Sequence, residues 1–230
     1  MGAHFSEAGM KFLRDLAKHN DRAWFEPRKP IYEQELKAPM LAVIEEVNHA
    51  LLDFAPDYVR PPQKAMMRIY RDIRFSKDKR PYKNHVAAWW SRHGLEKTSG
   101  GGFYLSVSAT GVQVAAGVYM PEKEQLLAIR RMLLERHEEY RALMGSRKLK
   151  AAMQPIDGMP MSRGPKGFPA EHSAMDLVIQ RQWGVSSKSP VELALAPGLV
   201  TEIVKRFRLA APLISFLNEP LLGRPKKPLF

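Results

Sequence analysis

Apolar residues recur along this chain with two periods, and each period is typical of one kind of element. Spacings of three and four residues predict helices towards both ends of the chain, whereas alternation predicts strands in its middle. Ser6 can supply the side-chain oxygen that begins the first helix. The predicted helices cover 7–19, 30–54, 121–144 and 190–217, and the predicted strands cover 65–75, 86–90, 103–108, 112–119 and part of 177–187.

The strongest strand signal is a hairpin around residues 109–111, because Gly111 suits the left-handed position of a short loop. Alternate residues of its two strands give one apolar face and one face of small and polar side chains. The apolar face is predicted to carry Phe103, Leu105, Val107, Val112, Val114, Ala116 and Val118, and the other face Tyr104, Ser106, Ser108, Gln113, Ala115, Gly117 and Tyr119.

Helices at both ends around consecutive antiparallel strands predict an α+β fold. We expect a single domain over residues 1–220, with a mainly antiparallel sheet of about five strands and helices from both chain ends packed on it. Glycine and proline favour loops at 97–102 and 145–175. Residues 221–230 are predicted to form a basic, mobile C-terminal tail.

The composition of the chain limits its domain number, its disulfide and metal chemistry and its cellular compartment. The chain has 230 residues, of which 45% are hydrophobic, and this length supports one sizeable domain with its own core. It contains no cysteine, which excludes disulfides and thiolate metal sites and favours a reducing compartment. The N-terminus lacks the apolar core of a signal peptide, and no stretch of eighteen apolar residues occurs. We therefore expect a cytoplasmic protein with no membrane partner.

Positive charge is concentrated in one segment. The formal net charge of the chain is +12. Between Arg60 and Lys97 there are eleven Lys or Arg residues and three acidic residues, so this segment alone carries a net charge of +8. Such a concentration indicates an anionic partner, which we expect to be a small molecule or a nucleic acid.

The centre of this segment reads R-I-Y-R-D-I-R-F-S-K-D-K-R-P-Y-K-N-H over residues 68–85. Its first half alternates as a strand does, which places Ile69, Ile73 and Phe75 on one face with Arg71. If the other face adjoins the polar side of the hairpin, the two form a basic trough that can grip a phosphate or carboxylate. A second basic loop, 163–169, could close over it. The predicted ligand-binding residues are Arg68, Tyr70, Arg71, Asp72, Arg74, Lys77, Tyr82, Lys83 and Lys166.

Each of these features also has a purely structural interpretation. Arg71 could form a buried ion pair with an acidic residue of a neighbouring helix, for which the candidates are Glu45, Glu46 and Asp15. The charged face could be a solvated edge strand that charge protects from aggregation. The loop 163–169 could serve only to pack Phe168, and a loop histidine such as His172 is usually not catalytic.

The sequence contains none of the standard catalytic motifs. Nucleophile elbows, zinc-binding helices and phosphate-binding glycine loops are missing, and the seven histidines show no ligand spacing, so we expect neither a metal nor a cofactor. Binding of an anionic ligand or nucleic acid in the trough is the leading functional hypothesis. The alternatives are an enzyme acting on a phosphorylated or carboxylate small molecule, and an interaction protein with an acidic partner. In an enzyme Asp72 or Asp78 would be acid or base, although flanking arginines lower the pKa of Asp72 and weaken that role.

The run at 68–85 resembles the signature of a family of conserved hypothetical bacterial proteins, domain of unknown function 2461. Three other segments support the resemblance: N-D-R-A-W-F at 20–25, G-F-Y-L at 102–105 and G-P-K-G-F-P at 164–169. The resemblance spans residues 5 to 218 and implies a single domain of this length. It implies no activity, cofactor or catalytic residue.

Overall fold

A computed structural model describes residues 2–95 and 100–222 of the chain. The fold is α+β, with one five-stranded antiparallel sheet in the order β1-β2-β3-β5-β4. The strands are β1 (His85–Ser91), β2 (Gly101–Ser108), β3 (Gly111–Val118), β4 (Gln154–Pro155) and β5 (Trp183–Ser189). The α-helices are α1 (Glu7–Lys18), α2 (Arg22–Phe25), α3 (Lys29–Tyr32), α4 (Ala38–Leu51), α5 (Pro62–Ala65), α6 (Lys123–Gly145), α7 (Arg147–Ala152), α8 (Met175–Val178), α9 (Glu192–Leu195) and α10 (Leu199–Asn218).

The N-terminal helices begin and change direction for local reasons. The Ser6 side chain accepts a hydrogen bond from the backbone N–H of Gly9 (3.1 Å), which confirms the predicted start of α1. The predicted helix over 30–54 is divided into α3, a π-helical turn over Glu33–Lys37 and α4. Pro39 lies in the first turn of α4, directly after the π-turn, and has no N–H group to donate to the helical residues before it. The π-turn therefore lets one helical segment lead into the next.

The hairpin prediction is confirmed, and so is its division into two faces. All seven residues of the predicted apolar face are at most 2% exposed. Gly111 has a φ of +155°, and an added Cβ would overlap the carbonyl oxygen of Ser189. Glycine is required there by the close approach of another backbone segment as well as by the turn.

The predicted strand over 65–75 is largely wrong. The segment forms only isolated bridges, Met66 with Ala88 and Tyr70 with Tyr82. Beyond Tyr70 the Asp72 carboxylate accepts a hydrogen bond from the backbone N–H of Arg74 (3.2 Å). In a sheet, this N–H group would bond to a neighbouring strand, whereas here a nearby side chain is its partner. The segment therefore leaves the sheet and folds back on itself.

The structure also revises the region between α6 and the last strand. The predicted loop 145–175 contains α7 and the short strand β4, and the predicted strand within 177–187 is present as β5, which begins only at Trp183. The start of that prediction lies in α8. Residue 221, the first residue of the predicted tail, is the buried Leu221, and residues 223–230 and 97–99 lie outside the described residues.

The chain divides into two compact units, each composed of three stretches. The first comprises Met1–Trp90, Tyr104–Val114 and Ser187–Lys205. Its apolar core draws on α1 and α4 and on strands β1, β2 and β3, and Asn48 of α4 accepts a hydrogen bond from the indole N–H of Trp90 (3.0 Å). Along the outer side of β1, the backbone N–H of Met67 donates to the carbonyl oxygen of Ala87 (2.8 Å), next to the bridge between Met66 and Ala88. The segment at 66–67 therefore covers the edge of β1.

The second unit comprises Ser91–Phe103, Ala115–Ser186 and Arg206–Phe230. The rings of Phe103 and Phe207 pack at a centroid distance of 4.7 Å in its core. The fully buried side chain of Asn218 binds both backbone groups of Gly101: its Oδ1 accepts from the N–H (2.6 Å), and its Nδ2 donates to the carbonyl oxygen (3.0 Å). This amide therefore satisfies both backbone groups of Gly101 at the buried start of β2.

Asn218→Ala is expected to reduce the free energy of unfolding by about 2–4 kcal/mol. The substitution removes two hydrogen bonds and leaves the buried N–H and carbonyl groups of Gly101 without the partners that Asn218 supplied. Equilibrium urea unfolding measures this change. The control is Ser215→Ala on the exposed side of the same helix, which should change stability by less than about 0.5 kcal/mol. Equal stabilities of the two variants would contradict this role of Asn218.

Candidate functional site

Residues 68–83, here called the basic loop, carry seven Lys or Arg residues and two Asp residues, a net charge of +5. The carboxyl end of the loop is held by Asn20. The Nδ2 of Asn20 donates to the carbonyl oxygen of Tyr82 (3.0 Å), and the N–H of Tyr82 donates to its Oδ1 (3.0 Å). A single side chain therefore pairs with both backbone groups of one residue, as a neighbouring strand would.

Aromatic packing strengthens the same attachment. Phe25 and the buried Tyr82 stack with ring centroids 4.0 Å apart and an interplanar angle of 17°. Tyr70 lies against both rings, at 6.3 and 5.3 Å respectively. The Tyr82 hydroxyl donates to Glu26 Oε1 (3.4 Å). Burial of Tyr82, and to a smaller extent the negative charge of Glu26, raises the pKa of this hydroxyl, so it keeps its proton at neutral pH. Tyr82 was predicted as a ligand residue, but in the structure its buried ring anchors the basic loop.

Asp21 caps the short helix α2 and so helps to place the segment 20–25 in contact with the basic loop. The Asp21 carboxylate caps α2 by accepting a hydrogen bond from the backbone N–H of Trp24 (2.8 Å), and this short helix directs Phe25 inwards. Two of the segments that carry the family resemblance, 20–25 and 68–85, are therefore in direct contact. Neither segment alone predicts this contact, since 62 positions separate Asn20 from Tyr82.

Within the basic loop, both aspartates are engaged by arginines. Arg74 binds Asp72 through two hydrogen bonds (3.0 and 2.8 Å), and Arg80 binds Asp78 at 2.7 Å. Hydrogen bonds from Arg74 lower the pKa of Asp72 to about 2. Hydrogen bonds from Arg80, with a smaller contribution from Arg71, hold the pKa of Asp78 well below its usual range. Both carboxylates are therefore ionised at neutral pH and weakly basic, which makes either a poor general acid or base.

Arg71 has a different partner from those predicted. Its Nη1 donates to Asp78 Oδ2 (2.8 Å) and to the carbonyl oxygen of Arg80 (3.1 Å), so the ion pair lies within the basic loop. Of the predicted partners, Glu46 accepts from the N–H of Ala3 and Asp15 pairs with Lys11. The prediction of an ion pair for Arg71 is confirmed, whereas the predicted partner helix is wrong.

Phe75 is the residue that sequence reasoning missed. It was predicted on the core face, yet it is 95% exposed, whereas Ile69 of the same predicted face is 3% exposed. The Arg74 guanidinium carbon lies 5.8 Å from the Phe75 ring centroid. The signal was present in the sequence, because Phe75 directly precedes the charged turn 76–80, where no strand can continue.

The remaining cations of the basic loop differ in how they are held. The ammonium groups of Lys79 and Lys83 donate to the backbone carbonyls of Ile73 (3.1 Å) and Arg68 (3.0 Å). The side chains of Arg68 and Lys77 are exposed. A carbonyl oxygen carries no formal charge, so the contact with Ile73 leaves the ammonium group of Lys79 positive.

Lys166 belongs to the second unit and is exposed, whereas the basic loop belongs to the first unit. The prediction that loop 163–169 closes over a basic trough stays a prediction. Phe168 of this loop is half-buried.

His172 lies beside His137, and no motif in the sequence pairs the two residues. The rings of His137 and His172 are 5.5 Å apart, and His137 Nε2 lies 3.0 Å from Ser173 Oγ and 3.2 Å from Glu138 Oε1. Because a carboxylate only accepts hydrogen bonds, a proton on Nε2 suits both neighbours. His137 Nδ1 is buried and, among the described residues, has no hydrogen-bond partner, which also fits an unprotonated Nδ1. With the proton on Nε2, His137 is a donor to Ser173 and cannot act as the general base that would activate it as a nucleophile.

The described residues contain neither a cluster of metal ligands nor a helix that could cross a membrane. Residues 2–95 and 100–222 contain no group of three or more His, Asp or Glu side chains arranged to hold a metal ion. In the same ranges, no helix combines the length and apolar character needed to cross a membrane.

Asn20→Ala is expected to release the carboxyl end of the basic loop, because both hydrogen bonds to Tyr82 are lost. Local opening should make tryptic cleavage within residues 71–80 about tenfold faster. Limited proteolysis with mass spectrometry measures the rate at each site. Asn84→Ala, an exposed substitution beside the loop, is the control, and a cleavage rate in Asn20→Ala equal to the control's would refute the anchoring role.

Arg74→Gln is expected to return the pKa of Asp72 from about 2 towards the ordinary 3.8. Because the folded-state pKa is lowered, the stabilisation by this pair is complete above pH 3.8 and is lost as the pH falls towards 2. Carboxyl carbon-13 NMR follows the titration directly. Arg80→Gln is the matched control and should move Asp78 while leaving Asp72 unchanged. An unchanged Asp72 titration in Arg74→Gln would mean that the pair does not form in solution.

Comparison with known proteins gives one match. No curated protein and no solved structure matches this chain. The sequence model of a family described as conserved hypothetical protein, DUF2461, matches residues 8–216, which include both contacting segments, 20–25 and 68–85. The resemblance noted from the sequence is thereby confirmed, and the chain belongs to the conserved hypothetical protein family DUF2461.

Proposed function

We propose that this protein binds single-stranded nucleic acid through the basic loop. The observation that carries the proposal is the 95% exposure of Phe75 within a loop of net charge +5. Proteins that bind single strands without sequence preference combine cations, which attract the phosphate backbone, with aromatic rings on which bases stack. Phe75 supplies such a ring, and Arg68 and Lys77 supply exposed cations.

The way the basic loop is held supports this proposal. Asn20 and the stack of Phe25 on Tyr82 fix its carboxyl end, and the pairs of Arg74 with Asp72 and of Arg80 with Asp78 brace its tip. Because these contacts already restrict the loop, less conformational entropy is lost when a ligand binds to it. The two aspartates orient arginines without cancelling the charge of the loop.

A polymer suits the basic loop better than an enclosed small anion does. Three cavities of about 770, 550 and 420 Å³ are lined by residues of the second unit, and no basic-loop residue lines any of them. An exposed ring beside exposed cations matches the repeating base and phosphate of a nucleic acid strand. We also propose a cytoplasmic location, since nucleic acid is present there and a cysteine-free chain needs no oxidising compartment.

Binding of a labelled single-stranded oligonucleotide, followed by fluorescence anisotropy, tests the proposal. With about three or four phosphate contacts, the logarithm of the binding constant should fall with the logarithm of salt concentration with a slope of roughly −2 to −3. Lys77→Gln should make this slope less negative by about 0.7. Lys18→Gln, an exposed charge change outside the loop, should not alter it.

Phe75→Ala separates stacking from charge. It should weaken binding about tenfold and leave the salt slope unchanged, because it removes a ring but no charge. Leu52→Ala is the control, since Leu52 is another exposed apolar residue of the first unit, at 58% exposure. Undetectable binding at low salt would overturn the proposal. Binding that Phe75→Ala and Lys77→Gln leave unchanged would also overturn it, because the basic loop would then not be the site.

A further inference from the structure

The largest of the three cavities, about 770 Å³, lies within the second unit. It is bounded by the last turns of α6, by α7, by β4 and the residues after it, and by α8 and β5. Cavities of this volume are typical of sites for small organic ligands.

The walls of the cavity are predominantly apolar. Met144, Ile156 and Leu177 line it and are each half-buried, so each side chain presents apolar surface that the protein itself leaves uncovered. Met144 can also adapt its unbranched side chain to the shape of a ligand. Beneath these residues, Trp183 is fixed by the hydrogen bond from its indole N–H to the carbonyl oxygen of Leu177 (3.1 Å).

The charge of the lining has one sign. Arg141 and Lys150 line the cavity, and no Asp or Glu of the described residues does. Asp176, outside the lining, binds Arg141 through two hydrogen bonds (3.2 and 2.8 Å) and neutralises it. No described carboxylate lies within ion-pair distance of the exposed Lys150, so the ammonium group remains as the uncompensated charge at the cavity.

Neutral polar side chains accompany this charge. Tyr140 lines the cavity and is buried. Its burial, and to a smaller extent the negative charge of Asp176, raises the pKa of its hydroxyl to about 12, so the hydroxyl stays protonated at neutral pH. The amide side chains of Gln154 and Gln180 also line the cavity. The lining therefore offers one positive charge and neutral polar groups to a ligand, and no negative charge.

We propose that this cavity binds a small amphipathic monoanion, whose flat apolar body lies against Met144, Ile156 and Leu177 and whose acidic group pairs with Lys150. Carboxylate and sulfonate groups share the required chemistry. This site is independent of the basic loop, so the failure of either proposal leaves the other unaffected.

The probe for this site is 8-anilinonaphthalene-1-sulfonate, an aromatic monoanion, and the comparison probe is N-phenyl-1-naphthylamine, its neutral analogue. We expect the anionic probe to bind the folded protein with one-to-one stoichiometry in a fluorescence titration. Lys150→Gln should weaken the anionic probe about fivefold and leave the neutral probe unchanged, because one partly exposed ion pair is removed. Lys148→Gln, a charge change in the same helix but outside the lining, should leave both probes unchanged.

A second variant tests the apolar walls. Met144→Trp fills the cavity with a larger side chain and should abolish binding of both probes, while thermal unfolding monitors the stability of the variant. Retained binding in Met144→Trp would overturn the proposal. Equal effects of Lys150→Gln and Lys148→Gln on the anionic probe would also overturn it, since the probe would then respond to surface charge in general.

Discussion

The pairing of the Asn20 amide with the backbone of Tyr82 is the interaction on which the basic loop depends. Without it, the carboxyl end of a segment with seven like charges would be held by the ring packing of Tyr82, its hydroxyl contact with Glu26 and its bridge to Tyr70. The amide is effective because it offers a donor and an acceptor in one plane, matching the N–H and carbonyl of an extended residue. Asn218 performs the same task for Gly101 in the second unit. In both places a side chain completes the backbone hydrogen bonding that the sheet does not supply.

We propose two surfaces of this chain as sites for different negatively charged molecules. The basic loop presents its charge and Phe75 outwards, and a strand of nucleic acid could lie across it. The 770 Å³ cavity has mostly apolar walls and a single uncompensated cation, which suits one small molecule. The two sites differ in what surrounds the charge. The exposed cations of the basic loop attract a charged polymer over a distance, whereas the exposed Lys150 lies beside apolar walls, a combination that favours a ligand with both an anionic group and an apolar body.

The sequence predicted most of the fold, because periodicity reports burial directly. The alternation in β2 and β3 was sufficient to assign both faces of the hairpin, and Ser6 marked the start of α1. The same reasoning misplaced Phe75, since alternation was extended past the point where Asp72 turns the chain locally. It also misassigned the partner of Arg71, because proximity within a loop depends on backbone turns that periodicity does not contain.

Contacts between distant segments could not be predicted from one sequence. Asn20 and Tyr82, or His137 and His172, are unremarkable residues until the fold brings them together. The cavity has the same origin: its lining is gathered from five elements, and no motif unites them. Local residue pairs, such as Asp72 with Arg74, are the part of the candidate site that a sequence can reveal.

The covering of β1 has a consequence for solubility. An edge strand with unpaired backbone groups can recruit a strand from another molecule and seed aggregation. Here the segment at 66–67 occupies the outer side of β1, and the strand at the opposite end of the sheet, β4, is two residues long and contains Pro155, which has no N–H to offer. The chain that leads into the basic loop thus also shields the sheet from self-association.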